Sequence, residues 1–101
     1  MRLLKSREEA IKALVGRPMK HLILEDVLKE EVSKIPYVFG EPSLADYTFG
    51  PALTWVFEFK SLTFAVYTDL EGNWNMDAQR VAHWIKIDEF TEALIEKLNA
   101  E

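Results

Sequence analysis

Three residues in the middle of the chain have side chains that could hold a divalent metal ion and activate a water molecule. Asp46 and Glu58 supply two carboxylates, and Lys60 supplies an ammonium group. Because side chains alternate along a strand, Glu58 and Lys60 are expected to share one strand face. A metal ion held by the carboxylates, beside a lysine that polarises water, would suit hydrolysis of a phosphodiester.

The order Asp…Glu-x-Lys resembles the signature of the PD-(D/E)XK nuclease superfamily. The resemblance implies a metal-dependent nuclease with Asp46, Glu58 and Lys60 as its site. Glu-x-Lys is also a frequent pattern in strands, and no proline precedes Asp46. We therefore interpret Glu58 and Lys60 as a solvent-facing charge pair and keep the nuclease as an alternative function.

Oxygen-bearing side chains alternate from residue 69 to residue 77, as they do at the start of an EF-hand calcium loop. The match then fails, because Trp74 occupies the position of the invariant glycine and Arg80 replaces the bidentate glutamate. A reverse turn rich in Asp and Asn is the favoured interpretation.

The remaining polar groups form no recognisable catalytic constellation. His21 and His83 are the only histidines, and no serine stands in the sequence context of a nucleophile. The chain has no cysteine, which excludes disulfides, zinc–thiolate sites and thiol nucleophiles. The sequence therefore predicts no catalytic residue, no metal site and no cofactor.

Length and composition predict a single domain, residues 1–101, located in the cytoplasm. Hydrophobic residues make up 49% of the chain, which is enough for a core. The N-terminus becomes charged before any apolar run develops, so no secretory signal is expected. No apolar segment approaches the roughly 18 residues of a membrane span, and the absence of cysteine fits a reducing compartment.

Charge is unevenly distributed along the chain. Residues 1–40 hold eight Lys and Arg against six Asp and Glu, a net charge of +2. Residues 41–101 hold four against eleven, a net charge of −7. An acidic half repels phosphate backbones, so a basic partner protein is expected and a nucleic acid is not.

The N-terminal part has helical patterns. Ser6 and Glu9 form a capping box, and Gly16 can take a left-handed cap, so a helix is predicted over residues 7–15. Residues 19–24 fit either a short strand or the lead-in to a helix.

A second helix is predicted over residues 24–35 from the spacing of its apolar residues, and Pro36 is expected to end it. Residues 37–51 follow as an irregular segment, because their glycines and prolines interrupt any regular element.

The clearest strand pattern is a hairpin that begins at Leu53 and ends at Tyr67. Its predicted register pairs large apolar residues: Phe59 with Leu62, Phe57 with Phe64, and Trp55 with Val66. All of them then lie on one face of the sheet. Lys60–Ser61 is a poor two-residue turn sequence, so a four-residue loop in the same register is an equal alternative.

A turn is predicted over residues 69–73, and residues 81–87 alternate as a third strand would. Asp88 is then expected to cap a C-terminal helix. The predicted fold is α+β, with N-terminal helices, a three-stranded antiparallel sheet and a C-terminal helix packed on one sheet face.

Several aromatic residues lie outside the predicted hairpin core, in the segment 37–51 and in the turn after the hairpin. Tyrosine and tryptophan on loops are common anchors of protein interfaces, although this segment could instead fold over the open sheet face and bury them. With neighbouring carboxylates, they form the predicted partner-binding set: Tyr37, Phe39, Glu41, Asp46, Tyr47, Phe49, Glu71, Trp74 and Asp77.

Several short motifs follow one another over residues 38–87, in the order Gly40-Glu41-Pro42, Trp55-x-Phe57-Glu58-Phe59, Phe64-Ala65-Val66-Tyr67 and His83-Trp84. This order resembles small α+β proteins of phages and mobile elements. The resemblance implies an accessory or inhibitory role and brings no catalytic residues with it.

The favoured hypothesis is a small acidic inhibitor, such as an immunity protein, an antitoxin or a phage-encoded inhibitor, that blocks a basic partner protein. A homo-oligomer is also compatible with the sequence. The alternatives are the metal-dependent nuclease and a structural or assembly subunit that pairs through a sheet edge.

Overall fold

The computed structural model describes residues 1–22, 31–45, 53–68 and 73–100. Within these ranges the chain forms five strands and three helices, and residues 31–32 are also helical. In chain order they are β1 (Arg2–Leu3), α1 (Arg7–Leu14), β2 (Met19–Leu22), α2 (Ile35–Phe39), β3 (Thr54–Phe59), β4 (Leu62–Thr68), β5 (Trp74–Gln79) and α3 (Trp84–Asn99). The α+β class predicted from the sequence fits this architecture.

The strands form one antiparallel sheet in the order β1-β3-β4-β5-β2. The prediction of a three-stranded sheet is therefore wrong, because β1 and β2 add an edge strand on each side. Strands of two and four residues are too short to show a periodic pattern, so β1 has no signal in the sequence and β2 has an ambiguous one.

The hairpin of β3 and β4 has the predicted register. Phe59 lies opposite Leu62, and the other predicted apolar pairs follow in step. The connection is a two-residue turn in which Lys60 has φ of 49° and Ser61 has φ of 66°. The four-residue loop is therefore not used, and two non-glycine residues adopt the left-handed region.

The third strand is β5, not residues 81–87. In β5, Asn75, Asp77 and Gln79 alternate with Trp74, Met76 and Ala78, and the last two apolar side chains are buried. In the sequence alone, Asn75 and Asp77 favour a reverse turn rich in Asp and Asn, which hides the strand. Residues 84–87 belong instead to the first turn of α3.

One face of the sheet is covered by α3 and α2. Phe90 of α3 stacks on Phe64 of β4, with ring centroids 4.0 Å apart and planes 4° apart. Phe57 packs on Phe90 and makes an edge-to-face contact with Phe39 of α2. The main core therefore lies between this sheet face and the helices.

The opposite face is partly covered by α1, so helices do not pack on one face alone. Leu4, Ala10, Leu44 and Val56 form a second, smaller buried cluster. Val56 belongs to it because its side chain points away from the face that carries its neighbours Trp55 and Phe57.

The N-terminal helix agrees with its prediction. Ser6 is the N-cap and accepts a hydrogen bond from the Glu9 amide at 3.4 Å. The helix ends at Leu14, and Gly16 has φ of 75°. Val15 is extended and the Arg17 amide donates to the Leu14 carbonyl oxygen at 3.3 Å, so Gly16 takes the left-handed position of a type II turn and not that of the predicted helix cap.

Pro36 begins a helix where it was expected to end one. It occupies the first turn of α2, where its missing amide hydrogen leaves no helical bond unmade. The predicted helix over residues 24–35 falls mostly outside the described residues. In the part of the chain that the structure describes, no helix is long and apolar enough to cross a bilayer.

Candidate functional site

The start of α3 is set by His83, not by Asp88. His83 has an extended backbone, and its Nδ1 accepts a hydrogen bond from the Ile85 amide at 3.3 Å. This bond satisfies one of the amide groups that a helix leaves unpaired at its N-terminus. The cap fixes where the side chains of the first turn emerge.

Large apolar side chains are exposed at this end of α3. Val81 is 77% exposed, Trp84 63% and Ile85 62%, although all three lie within five positions. Single exposed apolar residues are ordinary on protein surfaces, whereas several exposed close together make a candidate binding surface. We call Val81, Trp84 and Ile85 the apolar patch.

One face of the Trp84 indole contacts the ammonium group of Lys20. Lys20 of β2 donates from Nζ to the Ala82 carbonyl oxygen at 2.7 Å, and the same nitrogen lies 5.3 Å from the centre of the Trp84 ring. A cation over an indole face contributes about 0.5–1 kcal/mol at an exposed position. This contact favours one orientation of the exposed ring.

A row of carboxylates continues from the apolar patch along α3. Asp88, Glu92 and Glu96 are exposed and follow one another at four-residue spacing, which places them about 6 Å apart along the axis. Like charges at this spacing destabilise a helix by about 0.2–0.5 kcal/mol per pair. With Trp84 and Ile85 they form a continuous strip of surface, which we call the α3 face.

Glu89 differs from the carboxylates of the α3 face because it is already paired. It accepts a hydrogen bond from Lys60 in the β3–β4 turn and lies 3.7 Å from Lys86 Nζ. The bond from Lys60 is the main reason that the pKa of Glu89 lies below its usual range. Lys60 thereby ties the hairpin turn to α3.

The face of α3 opposite this strip is anchored in the core. Ile87, Phe90, Leu94 and Leu98 are buried against the sheet. Because one side of the helix is packed and capped, the other side is presented on a rigid support.

A separate polar cluster lies on the other face of the sheet. His21 Nδ1 is 3.1 Å from Asp77 Oδ1, and the Tyr67 hydroxyl donates to the same oxygen at 3.2 Å. His21 lies directly opposite Asp77, whereas Tyr67 reaches Asp77 diagonally from β4, so these contacts join β2, β5 and β4. They orient the His21 ring, whose side chain is about half exposed.

Of the described residues that were predicted to bind a partner, some are exposed and others pack against the core. Tyr37 is 90% exposed on α2, and Glu41 is also exposed. Phe39 packs on Phe57, and Trp74 packs on Trp55 with ring centroids 5.6 Å apart, so both contribute to the core.

The remaining members of that set have other positions. Asp77 belongs to the polar cluster with His21 and Tyr67. The other predicted members lie outside the described residues; these are Asp46, Tyr47, Phe49 and Glu71.

The geometry expected for a nuclease is not found at the two described residues of that motif. Glu58 lies 3.6 Å from Arg2 on the face covered by α1, whereas Lys60 reaches Glu89 on the face covered by α3. The two side chains therefore do not share a face, as the strand pattern had predicted. Across the described ranges, no group of three acidic or histidine side chains is placed to hold a metal ion.

Sequence reasoning missed the apolar patch because it assigned residues 81–87 to a strand. In a strand, Val81 and Ile85 would have pointed into the core. The helical spacing of Ile87, Phe90 and Leu94 was the available signal, since it extends the helix back to residue 84 and turns Ile85 outward.

Comparisons of this chain with protein-family models, with curated proteins and with solved structures find no significant match.

Proposed function

We propose that this chain is a small protein-binding module that blocks a basic partner protein through the α3 face. The observation that carries the proposal is the exposed, pre-oriented Trp84 beside Ile85 and Val81. Buried tryptophans at the centre of an interface are among the strongest contributors to binding energy. An indole that is already held loses little conformational entropy on binding, which favours affinity.

Charge supports a basic partner. Asp88, Glu92 and Glu96 repel one another on the free protein, and cations of a partner would relieve that repulsion. The whole chain carries a net charge of −5, which would steer the encounter in the same direction. Association should therefore be fast at low salt and slow as salt screens the charges.

The first experiment places a photo-crosslinking residue, p-benzoylphenylalanine, at position 85 or at position 15. Ile85 lies in the apolar patch, and Val15 is an exposed apolar residue at the end of α1. We expect crosslinking to one basic protein from position 85 and not from position 15. The same products from both positions, or an acidic protein from position 85, would contradict the proposal.

The second experiment measures binding to the identified partner after Trp84→Ala. Loss of an interface anchor of this kind costs about 2 kcal/mol or more, so the Kd should rise roughly 30-fold. Val15→Ala is the matched control and should leave the Kd unchanged. Equal affinity for Trp84→Ala and the wild type would remove the α3 face from the interface.

The charge component has its own pair of variants. Glu92→Gln combined with Glu96→Gln should slow association and weaken its dependence on salt. Glu8→Gln, an exposed carboxylate on α1, is the control. An association rate that is the same for the double variant and the wild type would mean that recognition depends on apolar contact alone.

A further inference from the structure

A groove of about 220 Å³ lies between α1 and the β1–β3 edge of the sheet. Its charged lining consists of Arg2, Glu9, Lys12, Arg17 and Glu58. The three cations and two carboxylates leave the groove with one net positive charge. It is remote from the α3 face, because α1 and α3 pack on opposite faces of the sheet.

The two carboxylates of the groove are satisfied by one of its cations. Arg2 Nη1 lies 3.3 Å from Glu9 Oε2, and Arg2 Nη2 lies 3.6 Å from Glu58 Oε1. Among the described residues, no carboxylate pairs with Lys12 or Arg17. The excess positive charge is therefore located at these two side chains.

Arg17 is fixed by the backbone and by the sheet. Gly16, with φ of 75°, turns the chain back after α1, and the Arg17 amide donates to the Leu14 carbonyl oxygen at 3.3 Å. Arg17 Nη1 then donates to the buried Thr63 hydroxyl at 2.9 Å. The guanidinium has five N–H donors, so one neutral hydrogen bond leaves most of its fork available.

The groove also has an apolar part. Leu4, which is buried, and Ala13, which is partly buried, complete its lining. A water molecule occupies about 30 Å³ in the liquid, so the groove has room for about seven waters and exceeds the size of a bare ion. A ligand that fills it needs an apolar body as well as a charge.

We propose that this groove binds a small organic monocarboxylate. The carboxylate would be held by Arg17, whose fork matches its two oxygens, and by Lys12 as a point charge. The hydrocarbon part would lie against Leu4 and Ala13. One negative charge on the ligand neutralises the net charge of the groove. A phosphate dianion would leave a net negative charge and would be repelled by the carboxylates of Glu9 and Glu58.

The test is a titration of the whole chain with butyrate, with inorganic phosphate and with chloride, followed by NMR of the Leu4 and Ala13 methyl groups and the Arg17 Nε–H. We expect saturable shifts with butyrate at all three positions and much weaker ones with the other two anions. Equal shifts with phosphate would overturn the assignment to a monocarboxylate, and the absence of saturable butyrate shifts would overturn the site.

Matched variants locate the charge. Lys12→Gln should weaken butyrate binding about tenfold, in line with about 1.5 kcal/mol for a hydrogen bond to a charged group. Lys12 has no bonded partner among the described residues, so this change leaves the fold intact. Lys5→Gln removes the same charge outside the groove and should have no effect. Equal weakening in both variants would mean that only net charge matters and would contradict the site.

Discussion

Lys60 and Ser61 adopt a backbone conformation that their side chains disfavour. Both have positive φ, as the two central residues of a tight hairpin turn require, and neither is glycine or asparagine. Lys60 has a compensating role, because its ammonium group bonds Glu89 and lies 5.3 Å from the centre of the Phe59 ring. Among the residues that the structure describes, no contact of the Ser61 side chain offsets its conformation.

Ser61→Gly is therefore expected to stabilise the protein. A left-handed conformation costs an L-residue about 1–2 kcal/mol, and the extra freedom of glycine in the unfolded chain returns roughly half of that gain. The net increase in the free energy of unfolding should be about 0.5–1 kcal/mol, measured by urea denaturation. Ser61→Ala keeps the Cβ and should bring no gain; stabilisation by alanine as well would show that strain is not the cause.

At the scale of elements, α3 carries one aromatic residue that holds the fold, Phe90, and one that is exposed, Trp84. Phe90 is buried and stacks on Phe64, so Phe90→Ala should lower the free energy of unfolding by about 3–5 kcal/mol. Trp84→Ala should cost less than about 1 kcal/mol, since it removes an exposed ring and one cation–π contact.

Chemical denaturation of both variants checks this contrast. A cost for Trp84→Ala that equals the cost for Phe90→Ala would mean that Trp84 is a core residue. The proposed role of Trp84 as an interface anchor would then lose its support.

Elements with local signals were predictable from the sequence. Ser6 and Gly16 mark both ends of α1, and alternation from Trp55 to Val66 determines the hairpin register. β1 has no such signal, because its pairing depends on Leu3 meeting Phe57, more than fifty positions away. The sequence alone could not indicate that contact.

The candidate site was missed for a related reason. Whether Ile85 points inward or outward depends on the type of element that contains it, and alternation over residues 81–87 favoured a strand. Residues 84–87 are helical because Ile87 and Phe90 pack on the sheet from the same side of α3. An error in one element thus reversed the predicted exposure of the residues that now form the apolar patch.

At the scale of the whole molecule, the first residues of the chain form one edge of the sheet. Leu4 is buried, and its amide donates to the Val56 carbonyl oxygen at 2.8 Å, which continues the β1–β3 pairing. The segment after it forms α1, and β2 then joins the opposite edge of the sheet. The N-terminal quarter of the chain therefore contacts both edges and one face of the sheet.

Leu4→Ala should accordingly destabilise the whole protein and not only its N-terminus. Truncation of a buried leucine costs about 2–5 kcal/mol. Urea denaturation followed by tryptophan fluorescence and by far-ultraviolet circular dichroism should give one coincident, weakened transition. Lys5→Ala, an exposed neighbour, is the control. Separate transitions for the two signals would show that the N-terminal segment unfolds independently of the sheet.

The placement of the tryptophans gives the protein two distinct optical reporters. Trp55 is buried and lies against Trp74, whereas Trp84 stands in water above Lys20. A dissolved quencher such as iodide can collide with the exposed Trp84 indole but cannot reach the buried Trp55. The coupled inner pair can exchange excitation energy across 5.6 Å, so its emission follows the integrity of the core. A single unlabelled sample can therefore report separately on occupancy of its outer surface and on the state of its interior.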